Sequence, residues 1–154
     1  MTIKPTASRI AIPVGDPNGI GPEISLKTVA SYSGRDDVVL TLFGPEQVLE
    51  FTAEALGLRE LLARTHVEST MPVSQGGFSP GKINAQAGAA AIDAATRAIQ
   101  AAQRGQYDAV VAAPHHETAI AQAGIPFSGY PSLVARVCGQ SEDSVFLLLI
   151  GGGA

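Results

Sequence analysis

Residues 107–133 read YDAVVAAPHHETAIAQAGIPFSGYPSL, and this stretch decides the fold. An apolar run, 109–113, stops at Pro114 and gives way at once to two histidines and a carboxylate, His115, His116 and Glu117. A helix-like piece over 117–123 follows, then a loop over 124–131 punctuated by Gly124, Pro126, Gly129 and Pro131. A strand ending in polar chemistry fits an open parallel α/β sheet, where ligands gather beyond the carboxyl ends of strands. One wall of any site is therefore expected here.

Upstream, residues 83–105 (INAQAGAAAIDAATRAIQAAQRG) predict an alanine-rich helix closed by Gly105. Its small residues suit close packing on a sheet or on another subunit, and Gly88 within it costs stability unless something must come near. At the start of the chain, 9–14 alternate, with Ile10, Ile12 and Val14 on one face of a first strand. Pro13 puts that strand near an edge or ends it early. The next nine residues, GDPNGIGPE over 15–23, cannot be regular structure. Pro22 and Glu23 then suit the first turn of a helix that runs to residue 30. A strand, a glycine turn and a helix can aim free backbone N–H groups at a ligand, with Asp16 and Asn18 as polar handles lining a cleft. The same residues also suit a mere sharp connection. The spacing matches neither the dinucleotide fingerprint nor the P-loop.

Between these landmarks, 38–43 predict a strand stopped by Gly44 and Pro45. Residues 46–56 predict a helix with Val48, Phe51 and Ala55 inward, ending at Gly57. A further turn over 58–63, a weak strand over 64–69 and a loop over 71–82 follow. Beyond the opening stretch, Ser132 is placed to cap a helix through Cys138, and six apolar residues, 145–150, suit a buried strand. Strands and helices alternate, so the class is α/β with a largely parallel sheet flanked by helices. A buried strand followed by three glycines leaves no helix to cover it, so the chain is expected to be truncated.

Composition narrows the function. The chain has 154 residues, 45% apolar and 16% charged, with net charge -4 and no basic run, which argues for one folded unit and against nucleic acid. The lone Cys138 permits no intrachain disulfide and reads as a small buried hydrophobe. No stretch has the length of a membrane span and the first residues lack a signal-peptide core, so a cytoplasmic protein is expected. His115 and His116, being adjacent at a strand end, point to opposite sides and do not easily ligate one metal. With His66 they form no metal motif, so no metal site is assigned. Either one histidine touches a substrate or both are simply exposed at the sheet end. Asp16 and Glu117 would form a carboxylate pair if the fold brings them together. Lys82 either reaches an anion or is solvated.

Three segments together, GDPNGIGPE, the GK-x-N-A-x-A-G helix start and AAPHHETAIAQAGIPFSGYP, resemble the 4-hydroxythreonine-4-phosphate dehydrogenase family. Within it, PHHETAI followed by AGI-x-FSGYPSL is similar to the terephthalate dihydrodiol dehydrogenase branch. The resemblance covers nearly the whole chain, from Arg9 to Gly153. It implies the fold shared with isocitrate and isopropylmalate dehydrogenases: two α/β domains, a cleft, and a homodimer whose sites use both subunits. It implies NAD-dependent oxidation of a secondary alcohol β to a carboxylate, with decarboxylation assisted by a divalent metal. Residues 1–154 would be the first α/β portion, with the second half, its metal-binding histidines and most of the NAD contacts absent, and this portion alone would show no turnover.

The resemblance further implies substrate-binding residues. The family's His-Thr pair after the Phe-[Ser/Thr]-Gly turn falls at Tyr130 and Pro131. A family His or Asn falls at His116, beside His115, and the following family Lys is Glu117 here. Replacing a phosphate-facing cation with a carboxylate disfavours a phosphate ester and fits a cyclic dihydrodiol dicarboxylate of aromatic catabolism. No residue is assigned a catalytic role. Two alternatives stand beside this: the phosphate-ester enzyme of pyridoxal phosphate biosynthesis, and a non-catalytic module that dimerises through the alanine-rich helix, 84–103.

Overall fold

The computed structural model describes residues 7–146 and 148. Along them run β1 (Ser8–Pro13), α1 (Gly21–Ser31), β2 (Val38–Gly44), α2 (Glu46–Ala55), α3 (Arg59–Leu62), β3 (His66–Ser69), α4 (Ala85–Gln103), β4 (Ala109–Val110), α5 (Glu117–Gln122), α6 (Tyr130–Cys138) and a short 3-10 turn, Glu142–Ser144. The strands form one parallel sheet in the order β3-β2-β1-β4. The α/β class and the parallel pairing read from the sequence hold.

Each face of the sheet buries a different surface. On one side Ile12, Val14 and Leu42 meet Leu26 and Val29 of α1 and Leu49 and Ala53 of α2. On the other, Ala11 and Phe43 meet Ala94, Ala98 and Ala101 of α4. The far side of α4 presents Ile92, Ala95 and Ile99 to Ile120 of α5 and Leu133 of α6. A helix held between a sheet and two further helices has little room for side chains on either side. This is why the run is alanine, and it corrects the dimerisation alternative, whose alanine face is spent inside the chain. Gly88 has the reason the sequence demanded: a Cβ there would overlap the backbone of Ala119 in α5. Asn84 caps α4, its side-chain oxygen accepting from the Ala87 N–H at 2.9 Å.

Several expectations need correction. β1 is flanked by β2 and β4, so of the two readings of Pro13 the edge position fails and the end of the strand holds: Pro13 is its last paired residue. In α2 the buried side chains are Val48, Leu49 and Ala53, whereas Phe51 is 54% exposed and packs edge-on against Phe78. Helix α6 begins at Tyr130, not after Ser132: Gly129 precedes it at φ 115°, Pro131 fits its first turn, and the Ser132 hydroxyl donates back to Gly129 O. Regular pairing in β4 is only two residues long, although N–H bonds from Asp108, Val111 and Ala113 to β1 carbonyls extend the ladder. Val145 and Phe146 are not in a strand, and Phe146 and Leu148 are exposed; Leu147, Leu149 and Ile150 of that expected strand lie outside the described residues.

Candidate functional site

Sheet order reverses direction at β1. The chain leaves β1 for α1 on one face and leaves β4 for α5 on the other, so a crevice opens between their carboxyl ends. Three segments bound it.

The first is the glycine turn. Val14 N–H donates to Phe43 O at 2.9 Å, and the chain then crosses to β4, where Asp16 N–H donates to Pro114 O at 2.9 Å. Gly15, at φ 72°, permits this crossing, since a Cβ would overlap Pro114 O. Gly21 is similarly required, because a Cβ there would overlap Val14 O. These two glycines are thus accounted for by the chain's own backbone rather than by an approaching ligand. Asp16 is buried, 5% exposed, and its Oδ1 accepts from Asn18 N–H at 2.8 Å.

The second is the segment after β4. The His115 ring stands edge-on to Phe127 and Tyr130, with centroids 4.7 and 5.0 Å away. The Tyr130 hydroxyl donates to Ala113 O at 3.4 Å, tying the start of α6 to the end of β4. His116 occupies the position before α5 in an extended conformation. Its ring does not join the aromatic cluster, and its Nδ1 is buried with no hydrogen-bond partner among the described residues. Pro131 is half-buried, and Glu117 is exposed at the first turn of α5.

The third segment is loop 71–84, which the sequence pattern alone does not bring to the site. Asn18, 5% exposed, holds it down. Its Nδ2 donates to Gly77 O at 3.1 Å and Lys82 O at 2.9 Å, its Oδ1 accepts from Ser79 N–H at 2.8 Å, and its own carbonyl accepts from Gly81 N–H at 2.7 Å. Asn84 Nδ2 donates to the same Gly77 O at 2.8 Å. The Asn18 amide therefore serves the loop and is not directed at a ligand. The one signal in the sequence was the loop's own composition: a segment with SQGGFSPGK has no regular bonding partners of its own and must find them elsewhere.

Electrostatically the crevice is acidic. Burial pushes the His115 imidazole below its ordinary value; Glu117 and Asp16 pull it up against that, and neighbouring His116 pushes it down. Both carboxylates are thus close enough to act on one ring. Burial also raises the Tyr130 phenol. Among the described residues no three His, Cys, Asp or Glu side chains converge to hold a metal ion. No helix among them is long and apolar enough to cross a membrane.

Comparison with known proteins adds the following. Residues 33–152 match the family described as pyridoxal phosphate biosynthetic protein PdxA. Over 145 residues the chain is 46% identical to a 1,2-dihydroxy-3,5-cyclohexadiene-1,4-dicarboxylate dehydrogenase from Comamonas, covering 94% of this chain and 46% of that protein. It is 33% identical to a 4-hydroxythreonine-4-phosphate dehydrogenase from Janthinobacterium, covering 88% and 43%. Its fold superposes on a terephthalate 1,2-cis-dihydrodiol dehydrogenase from Burkholderia xenovorans with a TM-score of 0.73 and 32% identity, covering 89% and 42%. The chain spans less than half the length of each.

Proposed function

The chain belongs to the PdxA family, and from that premise we propose that its protein is a dehydrogenase of cyclic cis-dihydrodiol dicarboxylates. In this reading NAD accepts the hydride from a secondary alcohol β to a carboxylate, and decarboxylation follows. A divalent metal, held by ligands other than the described residues, would polarise the reacting oxygen when bound. The protein would work as a homodimer in the cytoplasm, and the present residues would form the first α/β portion of a two-domain subunit.

The observation that carries the substrate class is the charge of the wall after β4. Segment 114–131 holds no lysine or arginine, and its half-buried His115 is acted on by the carboxylates of Glu117 and Asp16, opposed by burial and by neighbouring His116. A phosphate dianion concentrates two charges on one group and calls for several converging cations. A ring diacid separates its charges and can lay an apolar edge along the wall made by His115, Phe127 and Tyr130. In this reading His116 and Tyr130 with Pro131 contact the substrate, and Asp16 lines the floor. The 46% identity to the dicarboxylate enzyme supports the same choice.

The test is NADH formation by the whole protein, with divalent metal, on the dihydrodiol of terephthalate and on 4-phosphohydroxythreonine. Turnover of the diol at a kcat/KM at least a hundredfold higher is expected. Preference for the phosphate ester would overturn the reading.

A further inference from the structure

We infer that Lys82 is a specificity-determining residue, the cation that receives one carboxylate of the cyclic diacid, and that Asn18 is the residue that positions it. The inference rests on the diacid reading above and deepens it.

Nine lysines and arginines fall among the described residues. Arg9, Lys27, Arg35, Arg59 and Arg97 are paired with Asp108, Glu23, Asp37, Glu54 and Asp93. Arg64, Arg104 and Arg136 donate to Glu60 O, the Gln106 side chain and Pro126 O. Lys82 alone among them has neither an ion-pair nor a hydrogen-bond partner for its side chain. Such an ammonium is ordinarily a solvated one on a mobile loop. Here the backbone beneath it is anything but free. The Lys82 carbonyl is held by the buried Asn18 amide at 2.9 Å, its N–H donates to Ser79 O at 3.0 Å, and Gly81 N–H is bound to Asn18 O at 2.7 Å.

Position follows from the same contacts. Asn18 lies two residues beyond Asp16, which is bonded to Pro114 at the start of the second wall. Two residues after Lys82 comes Asn84, the cap of α4, and Gly88 in the first turns of α4 rests on Ala119, three residues from His116. The Lys82 backbone is therefore fixed beside the glycine turn and the start of α4, whose first turns pack on α5. The other two segments carry carboxylates, Asp16 and Glu117, and the loop tied to the glycine turn carries the unpaired, exposed Lys82. One isolated ammonium, a compact point charge, matches one carboxylate of a diacid whose two acid groups sit on opposite sides of a ring.

The test is calorimetric titration of the whole protein with terephthalate and with terephthalamide, its uncharged diamide. In Lys82→Met the terephthalate affinity should fall about tenfold while terephthalamide affinity stays within twofold, and Lys82→Arg should restore most of the difference. Asn18→Ala should collapse the same diacid-to-diamide ratio without any change at Lys82, a result that general loosening, which weakens both ligands alike, does not give. If Asn18→Ala fails to fold, the Lys82 pair still decides. Unchanged terephthalate binding in Lys82→Met, with dihydrodiol turnover retained, would overturn the role of Lys82 and leave the diacid reading standing. A wild-type protein that neither binds terephthalate nor oxidises the dihydrodiol would overturn both.

Discussion

At the amino-terminal end of the sheet, Arg9 spans from β1 to the residue before β4, bonding Asp108 and Gly105 O at 2.9 and 3.1 Å with both side chains about half exposed. At the carboxyl-terminal end, the same two strands are joined by backbone: Asp16 N–H on Pro114 O, with a glycine where any side chain would collide. One end is fastened by charges that water can replace. The other is fastened by contacts that leave no space for a single added carbon. Exposed ion pairs contribute little and are screened by salt, whereas overpacking and strained backbone are costly. The difference separates an end that can vary from an end whose shape the backbone fixes.

Breaking the tight end should give the largest effect. Gly15→Ala adds a collision with Pro114 O to a left-handed φ, and a loss of about 3 kcal/mol or more is expected by urea denaturation. A loss below about 1 kcal/mol would mean that β4 shifts easily and the crevice is soft. Gly88→Ala comes next. Helix propensity favours alanine by about 1 kcal/mol, yet overlap with Ala119 should reverse the sign to a net loss of about 1–2 kcal/mol. If the variant is instead stabilised, α5 does not rest on α4 as described.

His115 sharpens the comparison through pH. Its folded value lies below the ordinary value near 6.5, so from about pH 6.5 downward the unfolded chain binds the proton first. The stability contributed by neutral, buried His115 is present above that pH and is lost as pH falls through the folded value. Thermal midpoints of wild type and His115→Gln should therefore converge on acidification; parallel curves from pH 7.5 to 5 would rule the linkage out. The smallest effect belongs to the charged end. Arg9 holds Asp108 below the usual carboxylate range, yet Asp108→Asn should shift the midpoint only slightly at low ionic strength and not measurably in 0.5 M salt. A large, salt-independent drop would show that both ends are equally fastened.

Much of the sheet was legible because Gly and Pro cut the sequence at the strand ends, and apolar runs of strand length lay between the cuts. Gly44-Pro45 stopped β2, and Gly57 and Gly105 closed helices at positive φ. What failed did so where a neighbour decided. Phe51 looked like core because it is large and apolar, but the sheet lies under Val48, Leu49 and Ala53, and Phe51 found its partner in a loop. Pro13, which cannot donate to a ladder, read as either an edge or an end; it is the end, and at the last paired position no donor is missed. At the site, the histidines and Tyr130 were visible as residue types, and the switch point placed them. Asn18 was visible too, but its amide partners sit roughly sixty residues away in a loop, beyond the reach of any local pattern. For Lys82 the sequence leaves two readings, an anion contact or a solvated side chain, and only the pairing of every other described cation sets it apart.

The pairing of β1 with β4 also has a bearing on time. β1 meets β2 across thirty residues, Ser8 opposite Val38, but meets β4 across ninety-nine, Ile10 opposite Ala109. Closing the longer loop costs about 1 kcal/mol more in chain entropy. Sequence-distant contacts form more slowly than near ones for this reason. During folding, β1, β2 and the glycine turn are therefore favoured to assemble before Pro114 arrives opposite Gly15. The crevice has one wall early and its second wall late, so capacity to bind a ligand should be among the last properties the chain acquires.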